Sequence, residues 1–330
     1  MKTIVAILLG LVAGAATAQD KVSVRLDWTP WGIHAGIHLA AEKGWFRQNG
    51  IDPTVEDGNG SVTTVQLVGS GRFDVGNASL APMMIARDKG LSVRAIANFA
   101  RKNDIGLLVP RGSNMRTPKD LVGKTIVFTA GSLEAPFLDT FLAAGKVKRE
   151  QVELLNVEAS AKIPTYAAGR ADGVFSTVPF VLPAVEANRP SDAILVSDYG
   201  LQFPSFGLLS SEERIREHGP AIRRFASVVA GAWEYILAGH EDEAVKAIIA
   251  QRPHAKLDPK VLRGHIESLK AFFQTPNSKG LPMGVMADAD WEAGIKTMAS
   301  VKLIKEAPAS GFYTNDLLDR ALIAKIAKQN

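Results

Sequence analysis

Residues 22–36 read Val22-Ser23-Val24-Arg25-Leu26-Asp27-Trp28-Thr29-Pro30-Trp31-Gly32-Ile33-His34-Ala35-Gly36. From Val22 to Asp27, branched apolar residues alternate with polar ones, the period-two pattern of a strand. From Gly36 to Asn49, the apolar Ile37, Ala40, Ala41 and Trp45 recur at helical spacing, and Gly50 closes the helix. The stretch is therefore strand, loop, helix, with two tryptophans and a histidine in the loop.

The same alternation continues outward. Residues 53–56 and 73–76 read as strands; residues 61–68 and 82–89 read as helices, ended by Gly69 and Gly71 and by Gly90. Residues 92–100 and 105–109 are expected to be paired strands. The pattern restarts at Thr117-Pro118-Lys119-Asp120, a helix start with proline at the first helical position. Strands are expected at 124–128, 152–157, 171–175, 194–197 and 206–209, and helices at 133–144, 163–168 and 178–188. From Ser211 onward only helices are expected, at 212–237, 241–250, 259–273, 288–300 and 315–328.

Strands alternating with helices imply a mainly parallel sheet covered on both faces. Two successive sets followed by helices give two α/β lobes with a hinge and a helical C-terminal tail. The chain is expected to cross near residues 105–112 and to return near 200–210. Lobe 1 is then 19–108 plus 207–330, and lobe 2 is 109–206. In such sheets a ligand sits beyond the carboxyl ends of the strands.

At the N-terminus, Lys2 precedes an apolar run over residues 4–12, and Ala16-Thr17-Ala18 is a small-x-small site. This is the pattern of a secretory signal peptide cut after Ala18, which implies a periplasmic protein. The 330 residues contain no cysteine, which excludes thiol nucleophiles, thiolate metal sites and a lipid-bearing cysteine. The formal net charge of +4 comes from basic residues scattered among acids, so nothing points to nucleic acid.

The loops after the strands hold the candidate ligand-binding residues. After the first strand, Trp28 and Trp31 can stack on a planar ring, and His34 can donate to an anion or a ring nitrogen; Asp27 opens that loop. After the second strand, Asp57-Gly58-Asn59-Gly60-Ser61 leads into a helix N-terminus with Ser61 at the cap, an arrangement that offers free N–H groups to an anion. Asn77 and Ser79 follow the third strand. In the second lobe, Gly131 with Ser132 and Ser176 with Thr177 repeat the design. Helix capping explains each of these small polar pairs equally well. Their recurrence at strand ends in both lobes is what marks them.

His34, His38 and Glu42 fall at i, i+4 and i+8, but a helix starting near Gly36 leaves His34 off that face, and no metal is expected. His218, His240, His254 and His265 are read as surface or packing residues. No Gly-x-Ser-x-Gly, His-Glu-x-x-His or phosphate loop is present, so no catalytic residues and no cofactor are assigned.

The run Leu26-Asp27-Trp28-Thr29-Pro30, His34-Ala35-Gly36, Ala40-Ala41-Glu42-Lys43-Gly44-Trp45-Phe46 and Gly50-Ile51-Asp52 resembles the opening of the thiamine-pyrimidine precursor-binding proteins of bacterial ABC importers. That superfamily includes fungal thiamine-pyrimidine synthase and receptors for alkanesulfonates, nitrate and riboflavin. Gly69-Ser70-Gly71-Arg72-Phe73-Asp74-Val75-Gly76 is similar to its second hallmark. Gly169-Arg170-Ala171-Asp172-Gly173 is similar to the counterpart in lobe two, and Tyr313-Thr314-Asn315 fits near the end.

The resemblance implies a type II periplasmic-binding-protein fold with the ligand between the lobes. It also implies a permease and an ATPase as partners; the chain itself is expected to be a monomer. By matching position, Trp28 stands where the pyrimidine binders stack their ring. The synthase's lysine falls at Ala78 and its substrate histidine at Pro82, and its cysteine-rich cluster has no counterpart here. A receptor rather than an enzyme is therefore expected, with a planar heterocycle or an anion as ligand. The alternatives are a synthase-like enzyme, a receptor for a sulfonate or aromatic carboxylate, and a sensory protein that docks on a membrane receptor.

Overall fold

The computed structural model describes residues 19–130 and 132–329; the expected leader, residues 1–18, lies outside the described residues. The strands are β1 (Asp20–Leu26), β2 (Ile51–Glu56), β3 (Val75–Ser79), β4 (Val93–Asn98) and β5 (Ile105–Pro110), then β6 (Thr125–Phe128), β7 (Glu153–Asn156), β8 (Gly173–Thr177), β9 (Ser191–Leu195) and β10 (Phe206–Ser211). The helices of the first part are α1 (Ala35–Glu42), α2 (Trp45–Gln48), α3 (Ser61–Gly69), α4 (Leu80–Asp88), α5 (Leu138–Ala144), α6 (Ala159–Ala167) and α7 (Val178–Val185). The tail adds α8 (Glu212–Leu237), α9 (Glu241–Gln251), α10 (Pro259–Leu269), α11 (Asp288–Ser300) and α12 (Arg320–Ala327).

Two five-stranded sheets form two lobes, ordered β2-β1-β3-β10-β4 and β7-β6-β8-β5-β9. In each, the first three strands run parallel and the fourth is antiparallel to its neighbours. The alternation seen in the sequence sets the burial of β1: Val22, Val24 and Leu26 are buried, while Ser23 and Arg25 face outward.

The expected pairing of 92–100 with 105–109 does not occur. β4 pairs with β10, and β5 lies in the other sheet between β8 and β9. β5 is buried on both faces, and an uninterrupted apolar run such as Leu107-Leu108-Val109 marks a strand inside a sheet but not its partner. The chain therefore crosses earlier than expected, over residues 99–104, and residues 105–108 sit in the second sheet.

The crossings are laced together. Phe99 and Ala100 both donate their N–H to the Phe206 carbonyl, Ser205 N–H donates to Ala100, and the Asn103 amide donates to Leu201 at 2.7 Å. The two lobes also share a local device. Gly71 and Gly169 both end a helix at φ +74°, a left-handed position suited to glycine. Three residues on, Asp74 accepts from Ser23 N–H and hydroxyl, and Asp172 accepts from Thr125 N–H. Each aspartate thus pins the parallel strand beside it.

The expected single helix over 36–49 is broken. A 3-10 turn over Gly32–His34 leads into α1, and Gly44 at φ +69° separates α1 from α2. α8 kinks at His218, two residues before Pro220, and is buried along most of its length from Ala221. α10 buries Leu262, Ile266 and Leu269, and packs on both α9 and α7, so one tail helix touches both lobes. No helix among the described residues is long and apolar enough to cross a membrane.

Candidate functional site

The carboxyl ends of β1, β6 and β8 meet at a small cavity of about 70 Å³ between the lobes. Lobe 1 supplies Asp27, Trp28, Trp31, Gly60, Ser61 and Phe206 to its wall. Lobe 2 supplies Ser132, Ser176 and Thr177, the charged Glu134 and Lys162, and the apolar Leu133, Ile163 and Phe180. The lining is that of a small-ligand site, mostly apolar with a few convergent polar groups.

Asp27 organises the first wall. Its Oδ1 accepts from His34 Nε2 at 2.8 Å and from Trp31 Nε1 at 3.4 Å, and its Oδ2 accepts from the Ser61 hydroxyl at 3.5 Å. His34 Nδ1 accepts the Trp31 backbone N–H at 3.3 Å, which leaves Nε2 as the nitrogen that faces Asp27. Gly60 N–H donates to the Asp27 carbonyl at 2.6 Å and Gly58 N–H to that of Trp28 at 3.1 Å. The second loop thus lies flat on the first. A Cβ on Gly58 would stand 2.0 Å from the Leu26 oxygen, so only glycine allows that approach.

The two tryptophans divide the work. Trp31 is 2% exposed, and its ring makes edge contacts with Phe180 at 5.4 Å and Phe206 at 5.3 Å. It packs across the lobe interface. Trp28 is only half-buried, which leaves its ring available on the cavity wall. A second bridge lies beside Trp31: His265 of α10 hydrogen-bonds the Phe180 carbonyl of α7 at 2.9 Å. Burial holds the His265 pKa down to about 4; the Phe180 carbonyl opposes this and His34 adds to it. Its neighbour Gly264 comes so close that a Cβ there would be 2.7 Å from Pro183.

The structure brings Asp27, Trp28, Trp31, Gly60, Ser61, Ser132, Ser176 and Thr177 to one cavity. His34 stands behind its wall as the support of Asp27. Asn77 and Ser79 are fully buried and do not line it. The Asn77 amide and the Ser79 hydroxyl have no hydrogen-bond partner among the described residues. Gly131 lies outside the described residues. Ser61 is not a cap: Gly60 holds that position, and the Ser61 hydroxyl instead accepts from Ser79 N–H at 3.1 Å and turns to Asp27. His38 is buried behind His34, and burial first, then His34 and Arg252, holds its pKa well below the usual range. Among the described residues, no group of three His, Asp or Glu side chains is placed to hold a metal ion.

Sequence reading missed the Glu134–Lys162 ion pair and the aromatic pair Phe180 and Phe206. Glu134 follows a flagged loop by two residues and Phe180 follows another by three, so widening those windows finds both. Lys162 lies on α6, and no local signal singles it out.

Asp104 sits just before β5, fully buried, and accepts from the Ser205 hydroxyl; its other carboxyl oxygen has no partner among the described residues. Burial raises its pKa to about 7; the Ser205 hydroxyl opposes that rise, and the charges of Asp27 and Glu134 add to it.

Known proteins carry the same plan. A formylaminopyrimidine-binding protein of Halalkalibacterium halodurans is 27% identical over 286 residues, 83% of each chain. A 4-amino-5-hydroxymethyl-2-methylpyrimidine phosphate synthase of Saccharomyces cerevisiae is 30% identical, but over 110 residues, 33% of this chain and 32% of the yeast one. Among solved structures, the alkanesulfonate-binding protein of Xanthomonas axonopodis pv. citri, bound to MOPS, superposes with a TM-score of 0.68 at 18% identity. The superposition covers 90% of this chain and 99% of that one, and at that identity the likeness is one of fold. The family described as NMT1/THI5 like matches residues 31–244, and the chain belongs to that family.

Proposed function

We propose that this chain is a non-catalytic periplasmic receptor that closes its lobes on a small planar ligand and passes it to an ABC permease and ATPase. Residues 1–18 act as a cleaved leader, and the mature chain works as a monomer. Lobe 1 comprises residues 19–100 and 206–330 and lobe 2 residues 105–200, with the two laced crossings as hinge. The observation that carries this reading is the cavity at the strand ends, walled from both lobes, with Trp28 half-buried on one side. The long match to a formylaminopyrimidine-binding protein supports a heterocyclic ligand.

The synthase reading has weaker support, since that likeness spans one third of the chain and the sequence holds no cysteine. A thermal-shift screen of residues 19–330 against pyrimidines, thiamine precursors, flavins, sulfonates and aromatic carboxylates tests the receptor reading. Ligand at about 100 times its dissociation constant adds roughly 2.7 kcal/mol and raises Tm by several degrees. One class of hits, abolished in Trp28→Ala and unchanged chemically after incubation, is expected. Turnover of a hit, or a folded and ligand-stripped protein that answers to none of the library, refutes the reading.

A further inference from the structure

The ionisable groups lining the cavity do not cancel. Asp27 stands on the lobe 1 wall, 4% exposed; Glu134 and Lys162 stand on the lobe 2 wall, 2% and 7% exposed. Lys162 Nζ pairs with Glu134, so the lobe 2 wall is neutral as a unit. Asp27 has no lysine or arginine within ion-pair distance among the described residues; its one such contact is the His34 ring, whose other nitrogen accepts the Trp31 N–H. The groups that hydrogen-bond to its carboxylate are the His34 ring, the Trp31 indole and the Ser61 hydroxyl. Two carboxylates against one ammonium leave the cavity one negative charge in excess. A buried charge without a counter-ion is costly, and a ligand that brings the opposite charge removes that cost.

The rival attraction is that of helix N-termini for anions. Here a backbone donor at each helix start is already engaged within the protein. Gly60 N–H donates to the Asp27 carbonyl, Ser79 N–H to the Ser61 hydroxyl, and Val178 N–H at the start of α7 to the Asp104 carbonyl at 2.9 Å. At the start of α3 the Asp27 carboxylate already stands beside Ser61, 3.5 Å from its hydroxyl, where an entering anion would meet a like charge. Asp104, which feels both cavity carboxylates, is a separate sign that this interior is already negative.

We propose that the cavity selects a ligand carrying one positive charge spread over a planar N–H-bearing group, such as an amidine or a protonated amino-heterocycle, and rejects carboxylates and sulfonates. Asp27 reads the charge through Oδ2, whose only contact among the described residues is the long one to Ser61. The Glu134–Lys162 pair keeps the opposite wall neutral so that Lys162 does not recruit an anion. The inference rests on the receptor reading and sharpens its ligand class.

The test uses four probes of one shape, benzamidine, benzamide, benzoate and benzenesulfonate, titrated by calorimetry into the full mature chain, alongside the hits of the library screen. Benzamidine is expected to bind at least tenfold tighter than benzamide and both anions. Asp27→Asn is expected to weaken benzamidine roughly ten- to hundredfold, the loss of one charge-assisted hydrogen bond. Glu134→Gln leaves Asp27 in place but frees Lys162, and is expected to raise benzoate affinity above the native level. It keeps the proposal falsifiable should Asp27→Asn not fold. Benzoate or benzenesulfonate binding as tightly as benzamidine, or anionic or uncharged hits from the library, overturn the charge inference and leave the receptor reading standing. A folded protein that binds neither probes nor library overturns both.

Discussion

Lowering the pH from 7.5 to 4.5 should strain the joint between α10 and lobe 2, and His265 is where the strain falls. The ring is 4% exposed, donates through Nε2 to the Phe180 carbonyl, and has no partner for Nδ1 among the described residues. A second proton would go to Nδ1, beside the Trp31 and Phe180 rings. The folded pKa of about 4 lies below the ordinary histidine value of 6.5. Between those values the unfolded chain binds a proton that the folded chain refuses, so stability falls as pH falls through that window and stops falling below it. A gap of roughly two and a half in pH is about 3 kcal/mol, most of it lost by about pH 4.5. For a chain of this length that is about 5 °C in Tm. The measurement is Tm at both pH values for the native protein and for His265→Gln, which keeps a donor for Phe180 but cannot be protonated. His38 and Asp104 titrate in both proteins and drop out of the difference. His265→Gln should lose about 5 °C less on acidification; equal losses would refute the assignment of a buried neutral imidazole to this joint.

Asp104 should behave with the opposite sign. Its folded pKa of about 7 lies above the ordinary aspartate value of 3.8, so the ionised form is disfavoured in the fold and the cost grows as pH rises through that interval. Asp104→Asn should therefore stabilise the protein at pH 8 by a few kcal/mol, on the order of 4 at most, and by little at pH 4; urea unfolding at the two pH values reads this, and a pH-independent effect contradicts it. Gly264→Val places a side chain where a Cβ already stands 2.7 Å from Pro183. Overpacking of about 1–3 kcal/mol borne by the closed form alone weakens ligand affinity about 5- to 150-fold, with small-angle scattering showing a more open unliganded protein. Native affinity in that variant would mean that α10 does not clasp the lobes.

Trp28 and Asp27 were legible because a strand-to-helix loop places its side chains at the mouth of an α/β sheet whatever else the chain does. Ser61, Ser132, Ser176 and Thr177 were legible for the same reason. The two Gly-Arg-x-Asp turns were legible as repeats, and the structure adds what they do, since each aspartate reaches back to pin a strand 47 or 51 residues away in sequence. Strand partnership was not legible. β5 is as apolar as any central strand, and nothing local distinguishes a hairpin with β4 from insertion between β8 and β9. His34, Asn77 and Ser79 were sound choices by position in the chain but fall behind the wall, because side chains on one strand or turn alternate between cavity and core.

The missed ion pair shows where such reading ends. Glutamate and lysine default to the surface, so a sequence offers no reason to bury Glu134 or Lys162. Their meeting depends on α6 lying against the loop after β6, a tertiary contact across 28 residues. Phe180 is similar: nothing in its own lobe marks it until closure sets it against Trp31, which packs on Phe206 within lobe 1. Residues that serve a clamshell by meeting across it carry no local signature. The half of the site contributed by one loop can be read from one loop, and the half that exists only in the closed molecule cannot. The charge proposed for the ligand is out of local reach for a related reason, since whether Asp27 stands alone or beside a free ammonium depends on which carboxylate Lys162 finds within lobe 2.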